Sequence, residues 1–181
     1  MLSDETAMGD YPVEAVETMA RIAREIERDE THFKPMIDMD MVSVNHEITA
    51  QLARSAVRAS TNLPVKYVVL DTKTGRTGRY LAAFRGRKTV MAVCYRLHAQ
   101  RILALSYGVV PILRTQELSD KYHFLVDALE FIDQYRKLQD DDLMAIVGGS
   151  FGPDGGASYL ELADVRGIRR RNEMIAAQNK R

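Results

Sequence analysis

Between residues 45 and 163 short apolar runs alternate with stretches whose apolar positions recur every three or four residues. That alternation leaves few folds open, because a run too short for a buried helix, followed by an amphipathic helical stretch, is the mark of a strand–helix unit. The spacing predicts helices at about 45–60, Thr77 to Arg85, Leu97 to Ser106 and Ser119 to Lys137. It predicts strands at Val65 to Leu70, Thr89 to Tyr95, Val109 to Leu113, Leu143 to Val147 and Ala157 to Ala163. Strands separated by helices run parallel, whereas the glycine-rich link between Gly148 and Gly156 is too short to hold a crossover helix and makes the last pair antiparallel. The expected class is α/β: a three-layer, mostly parallel sheet with helices on both faces and an antiparallel edge strand.

An extra helix precedes this series. From Val13 to Arg28 the residues Val16, Met19, Ala20, Ala23 and Ile26 share one face, and Glu14, Glu17, Arg21, Arg24, Glu25 and Arg28 occupy the others. Pro12 suits the first helical turn, where its missing N–H has no partner to lose. The stretch 31–44, with Pro35 and alternating methionines and aspartates, lacks helical periodicity and reads as a connector. The layout is therefore an opening loop and helix (1–30), a connector (31–44), the α/β domain (45–165) and a basic helical tail (166–181), read as a solvated terminus.

Charge and cysteine content narrow the function classes. The 25 Lys and Arg balance the 25 Asp and Glu, so no broad positive field draws the chain to nucleic acid or an anionic membrane. The apolar runs are far below the roughly 20 residues that span a bilayer. A single cysteine, Cys94, closes no internal disulfide, and the acidic opening lacks the basic start and apolar run of a signal peptide, which makes the cytosol the expected compartment. His32, His46, His98 and His123 have no metal-ligand spacing, Asp140-Asp141-Asp142 lacks a calcium-loop pattern, and no metal site is expected.

Asp71-Thr72-Lys73-Thr74-Gly75-Arg76-Thr77-Gly78 sits between a strand and a helix, at the carboxyl edge where open α/β sheets bind ligands. Its hydroxyls, two cations, glycines and helix N-terminal N–H groups are the donors a phosphate takes. It is neither a Walker A loop nor a dinucleotide fingerprint. The competing expectation is a plain strand-to-helix turn with Thr77 as N-cap and solvated Lys73 and Arg76. The second loop, Gly148 to Ser158, lies at another strand's carboxyl end, and its glycines let backbone approach a ligand; by itself it reads as a flexible connection.

Met1-Leu2-Ser3-Asp4-Glu5-Thr6-Ala7-Met8-Gly9-Asp10-Tyr11-Pro12-Val13-Glu14-Ala15-Val16 closely resembles a segment of pyruvate kinases. The resemblance continues through Thr72 to Thr77, Arg85 to Tyr95, Gly108-Val109-Val110-Pro111 and Gly148 to Val165. In that family the first segment ends the catalytic barrel, and the remainder is the C-terminal domain that binds sugar-phosphate or nucleotide effectors and helps form the tetramer. The resemblance thus implies a regulatory and oligomerisation domain, with a stand-alone phosphometabolite-binding domain as the alternative. A small α/β enzyme is a third reading with only fold analogy behind it.

Its implied phosphate cradle is Thr72, Lys73, Thr74, Gly75, Arg76 and Thr77, and its implied effector loop is Gly148, Gly149, Ser150, Gly155, Gly156 and Ser158. No basic residue lies between Gly148 and Tyr159, so a monophosphate suits the site at least as well as fructose bisphosphate. The expected partners are a phosphorylated small molecule, either a sugar phosphate or a nucleotide monophosphate, and other copies of the chain. Nucleic acid and membrane are not expected. Ser3 matches a family active-site hydroxyl, but the family's phosphoryl-transfer residues and Mg and K ligands come from barrel strands that nothing here resembles. Catalysis by this chain alone, and any cofactor in it, are not expected.

Overall fold

A computed structural model of the chain describes residues 2–28, 47–114, 123–149 and 156–178. The chain divides into two compact units, Met1–Lys34 and Pro35–Arg181. The connector read at 31–44 lies outside the described residues.

In the first unit α1 spans Asp4–Ala7 and α2 spans Pro12–Arg28. Pro12 holds the first helical position, as its missing N–H allows, and Ala15 N–H donates to the Tyr11 carbonyl at 3.1 Å. Val16, Met19, Ile22 and Ile26 share one apolar face of α2, and no residue of the helix is buried.

The second unit holds β1 (Val65–Thr72), β2 (Val90–Cys94), β3 (Val109–Leu113), β4 (Leu143–Gly149) and β5 (Ala157–Asp164) in one sheet of order β3-β2-β1-β4-β5. All neighbours pair in parallel except β4 and β5, which are antiparallel. The expected class therefore holds. β1 is central and buried on both faces: Val65, Val68 and Leu70 point into one core, Tyr67 and Val69 into the other. The first core is closed by α3 (Glu47–Asn62), α4 (Arg76–Ala83) and α5 (Leu97–Leu103) through Ala53, Ala56, Leu81, Ala99 and Leu103. The second is closed by α6 (His123–Tyr135) and α7 (Val165–Gln178) through Phe124, Leu125, Ala128, Ile132, Val165 and Ile168. This is the double cover that a hydrophobic parallel sheet requires.

Strand order reverses at β1. The chain moves outward from it to β2 and β3, then returns to place β4 on the opposite side. The crevice at the carboxyl ends of β1 and β4 is thus the topological switch point, where open α/β sheets take their ligands.

Several boundaries differ from the sequence reading for identifiable reasons. α4 stops at Ala83 because Phe84 caps it and Arg85 adopts φ +52°, a left-handed conformation that cannot continue a helix. α6 ends at Tyr135, and Leu138 N–H then donates to the Asp133 carboxylate at 2.9 Å. The largest difference concerns the basic tail. Residues 165–178 form α7, in which Val165 and Ile168 are buried, while Arg169 pairs with Asp133 and Asp140 and Arg171 with Glu161. Apolar residues three apart anchor the helix, and part of its charge is neutralised by the domain itself.

Candidate functional site

Thr72 ends β1 and Arg76 starts α4, so three residues make the turn between them. Gly75 is the N-cap residue at φ +80°, a region that residues with a Cβ enter only at a cost, and its N–H donates to Thr72 Oγ1 at 2.9 Å. Thr77 is therefore not the N-cap. It is buried inside the first helical turn, and the geometry that starts the helix comes from Gly75 and Thr72. Arg76 N–H lies 3.4 Å from Thr74 Oγ1. Gly78 lets α4 approach α5, because a Cβ there would fall 2.8 Å from Leu103 Cδ2.

The six loop residues thus divide by role. Thr72, Gly75 and Thr77 are buried and shape the turn, Thr74 is exposed, and Lys73 and Arg76 are half-buried. The N–H groups of the first turn of α4 precede the first intrahelical bond, from Arg79 N–H to the Gly75 carbonyl at 3.0 Å, and give the loop its donor-rich end.

The second loop meets the first. A Cβ on Gly156 would lie 2.4 Å from Thr49 Oγ1 and 2.8 Å from Arg76 Nη2, which places the Arg76 guanidinium directly against the entry to β5. Ala157 N–H donates to the same Thr49 hydroxyl at 3.2 Å. Thr49 on α3, Arg76 on α4 and Gly156 before β5 therefore form one junction at the carboxyl edge. The Arg76 guanidinium thus lies beside Gly156 of a loop that has no basic residue of its own between Gly148 and Tyr159. Gly148 and Gly149 close β4, Ser158 lies on β5, and Ser150 and Gly155 fall outside the described residues.

On the other face of the same edge, Asp71 precedes Thr72. Its carboxylate receives the Gly149 N–H from the end of β4 and the Tyr95 hydroxyl from beyond β2, with the Lys73 charge nearby. Tyr95 N–H also donates to the Thr72 carbonyl at 3.3 Å, tying the ends of β1 and β2 together. Burial pushes the Asp71 carboxyl up to about 6 against the stabilisation these donors give its charged form. The folded chain therefore keeps a proton on Asp71 at pH values where the unfolded chain has released it. Stability is expected to rise as pH falls from about 6 toward 4 through this group, and Asp71→Asn should lose that component in urea titrations run at several pH values. An unchanged pH dependence in the variant would refute the assignment.

Thr49 and Tyr95 had no role in the sequence reading, and Asp71 was only part of the loop. Thr49 carried a signal, since it shares the apolar α3 face with Ala53, Ala56 and Ser60, where a hydroxyl needs a partner. Asp71 carried another, as an acid at the end of an otherwise apolar strand.

Other groups serve the scaffold. Asp142 receives Lys66 at 2.5 Å and Gln139 N–H at 2.7 Å; burial opposes its charge, but these bonds outweigh it and hold the carboxyl below its ordinary range. Burial pushes the Cys94 thiol up to about 11, which leaves it protonated and unreactive at neutral pH. Among the described residues no three His, Cys, Asp or Glu side chains are grouped to hold a metal ion, and no helix is long and apolar enough to cross a membrane.

Residues 50–163 match the family described as pyruvate kinase, alpha/beta domain. Similar curated proteins include a pyruvate kinase of Borreliella burgdorferi, 30% identical over 168 residues, covering 91% of this chain and 35% of that protein. A pyruvate kinase of Bacillus licheniformis is 31% identical over 189 residues, covering 99% of this chain and 32% of the relative. One of Methylorubrum extorquens is 32% identical over 168 residues, with 91% and 34% covered. The chain spans about a third of the length of the curated relatives it matches.

Proposed function

This chain belongs to the pyruvate kinase family, of which it carries the alpha/beta domain, and from that premise we propose that it is the regulatory and oligomerisation part of a pyruvate kinase, binding a phosphorylated metabolite at the carboxyl edge of its sheet. The observation that carries the reading is the junction of Arg76, Thr49 and Gly156, which brings two ligand-suited loops together at the switch point. In this reading Lys73 and Thr74 take the phosphate oxygens together with the N-terminus of α4. Thr72 and Gly75 hold the loop in shape. In the whole enzyme, phosphoryl transfer from phosphoenolpyruvate to ADP, with its Mg and K, falls to the barrel, and ligand occupancy here acts on it through the shared assembly. The reading places the protein in the cytosol.

Lys73 should supply a charge-assisted hydrogen bond worth about 1.5 to 3 kcal/mol, so Lys73→Ala is expected to weaken binding of a hexose monophosphate by roughly ten- to a hundredfold. Thr74→Ala should cost less. Calorimetric titration of the three proteins with a hexose phosphate, a bisphosphate and AMP measures this. No binding of any of them at millimolar concentration would remove the effector-site reading.

A further inference from the structure

The zero net charge is a sum of unlike parts. Residues 48–114 carry nine arginines and three lysines against one acid, Asp71, whereas residues 115–164 carry eleven acids against three basic residues. The fold turns this division of sequence into a division of surface. α3, α4 and α5 all close the first core and therefore lie on one side of the sheet. They are neighbours there: α4 meets α5 where Gly78 admits Leu103, and the turn after α4 meets α3 where Gly86 faces Val57.

Each of these helices buries small or aliphatic residues and leaves arginine outside. Arg54 and Arg58 are exposed one turn apart on α3, Arg79 on α4 and Arg101 on α5, and Arg87 is exposed in the turn between α4 and β2. Beside it the Arg85 guanidinium lies over the Tyr107 ring, 4.6 Å from its centroid. Asp71 lies within β1, so no acid stands on α4, on α5 or on α3 after its first residue. Elsewhere in the unit charges cancel locally: Asp142 pairs with Lys66, Asp133 and Asp140 with Arg169, Glu161 with Arg171 and Asp127 with Arg114. Arg54, Arg58, Arg79 and Arg101 make no ion pair among the described residues, and their field is left for a partner.

We propose that the outer face of α3, α4 and α5 binds the sugar–phosphate backbone of a nucleic acid, without base preference. A small phosphate is too short for this array. Arg54 and Arg58 stand about 6 Å apart along their helix and neighbouring helix axes lie about 8 to 10 Å apart, so the charges spread over roughly 20 Å. An extended polyanion engages them together, and each phosphate neutralised releases counterions. Arginine suits that partner, because its fork takes two phosphate oxygens and its plane stacks on bases. A membrane surface would instead ask for apolar side chains among the cations. The exposed positions around Arg54 and Arg58 are Gln51, Ser55, Thr61 and Asn62, and the exposed Ile48, Leu63, Leu97 and Leu105 sit at the ends of α3 and α5.

Fluorescence anisotropy of the full chain with labelled oligonucleotides of about 20 units, as single-stranded DNA, single-stranded RNA and duplex DNA, tests the proposal. If Arg54, Arg58, Arg79, Arg87 and Arg101 each meet one phosphate, log affinity falls with log salt at a slope of about −3.5 for a single strand and about −4.5 for a duplex. Single-strand affinity then drops roughly a hundredfold between about 50 and about 200 mM salt. Arg54→Gln with Arg58→Gln is expected to bring the single-strand slope to about −2 and to weaken binding more than about tenfold at the lower salt. Arg136→Gln with Lys137→Gln removes the same charge at exposed positions after α6 and should change affinity less than about twofold. Should the α3 pair fail to fold, Arg79→Gln with Arg101→Gln gives the same reading from the neighbouring helices.

Equal losses in the face variant and the Arg136/Lys137 control would reduce the effect to net charge and overturn the proposal. So would the absence of binding to all three nucleic acids at the lower salt, or a preference above about tenfold for one base sequence at equal length. Tighter binding to phosphatidylserine vesicles or to polyglutamate than to the oligonucleotides would assign the face to a membrane or an acidic protein instead. Displacement of the oligonucleotide by a hexose monophosphate at constant ionic strength would move it to the Thr72 to Thr77 loop and likewise overturn the assignment to this face.

Discussion

Gly149→Ala is expected to cost about 3 kcal/mol of folding stability, at the upper end of what overpacking by one methyl does. Gly149 is the last residue of β4 and pairs with Ala157 across a register shift. A Cβ there would lie 2.3 Å from the Gly156 carbonyl oxygen and 3.1 Å from its carbon. Both are backbone atoms, so no side-chain rotation relieves the clash, and the start of β5 must move with the junction to Thr49 and Arg76. The donor to Asp71 moves as well. Gly156→Ala is the contrast, since its Cβ would meet Thr49 Oγ1 and Arg76 Nη2, and the guanidinium end can swing aside. It should spare more of the stability while displacing the cation from the second loop. Urea unfolding of both variants tests the pair, with the midpoint falling much further for Gly149→Ala and the slope unchanged. A loss below about 0.5 kcal/mol for Gly149→Ala would mean that β4 and β5 do not approach as described.

The fold was legible because its signal is local. Val65 to Leu70 and Leu143 to Val147 are apolar on both faces, as strands covered by helices on two sides must be, and the spacing of Val109 to Leu113 returned the strand to the residue. The order of the parallel strands was not legible, since nothing in a parallel strand's own sequence says which neighbour it takes, whereas the short glycine-rich link did mark β4 and β5 as an antiparallel pair. The site was legible in part. The Thr72 to Thr77 loop announces itself through residue types, but the division of labour within it depends on φ at Gly75, which the sequence does not give, and the N-cap is Gly75 rather than the Thr77 of the plain-turn alternative. The junction through Thr49 and Arg76 joins residues distant in sequence, and the Asp71 cluster draws on β1, β2 and β4. Those contacts exist only once the sheet is ordered, which is why composition and spacing could not reach them.

The basic tail shows the same limit from the opposite side, and it makes the second large prediction. Counting charges from Arg166 onward suggested a solvated terminus, but one apolar residue decides the outcome. Ile168 is 1% exposed and packs in the core that includes Phe124, Leu125 and Ile132, and Val165 is fully buried one turn before it. The helix lies beyond residue 163, where the match to the family domain ends. Ile168→Ala should cost about 2 to 5 kcal/mol, the range for emptying a buried aliphatic site. Arg169→Ala removes pairs with Asp133 and Asp140 that are partly exposed, and should cost no more than about 1 kcal/mol. Arg170→Ala, at an exposed position, should fall within about 0.5 kcal/mol of the parent. A solvated tail would give three losses near zero. A docked helix gives a steep order with the isoleucine first, and denaturant midpoints of the three variants, read against slow amide exchange at residues 165–171, separate the two.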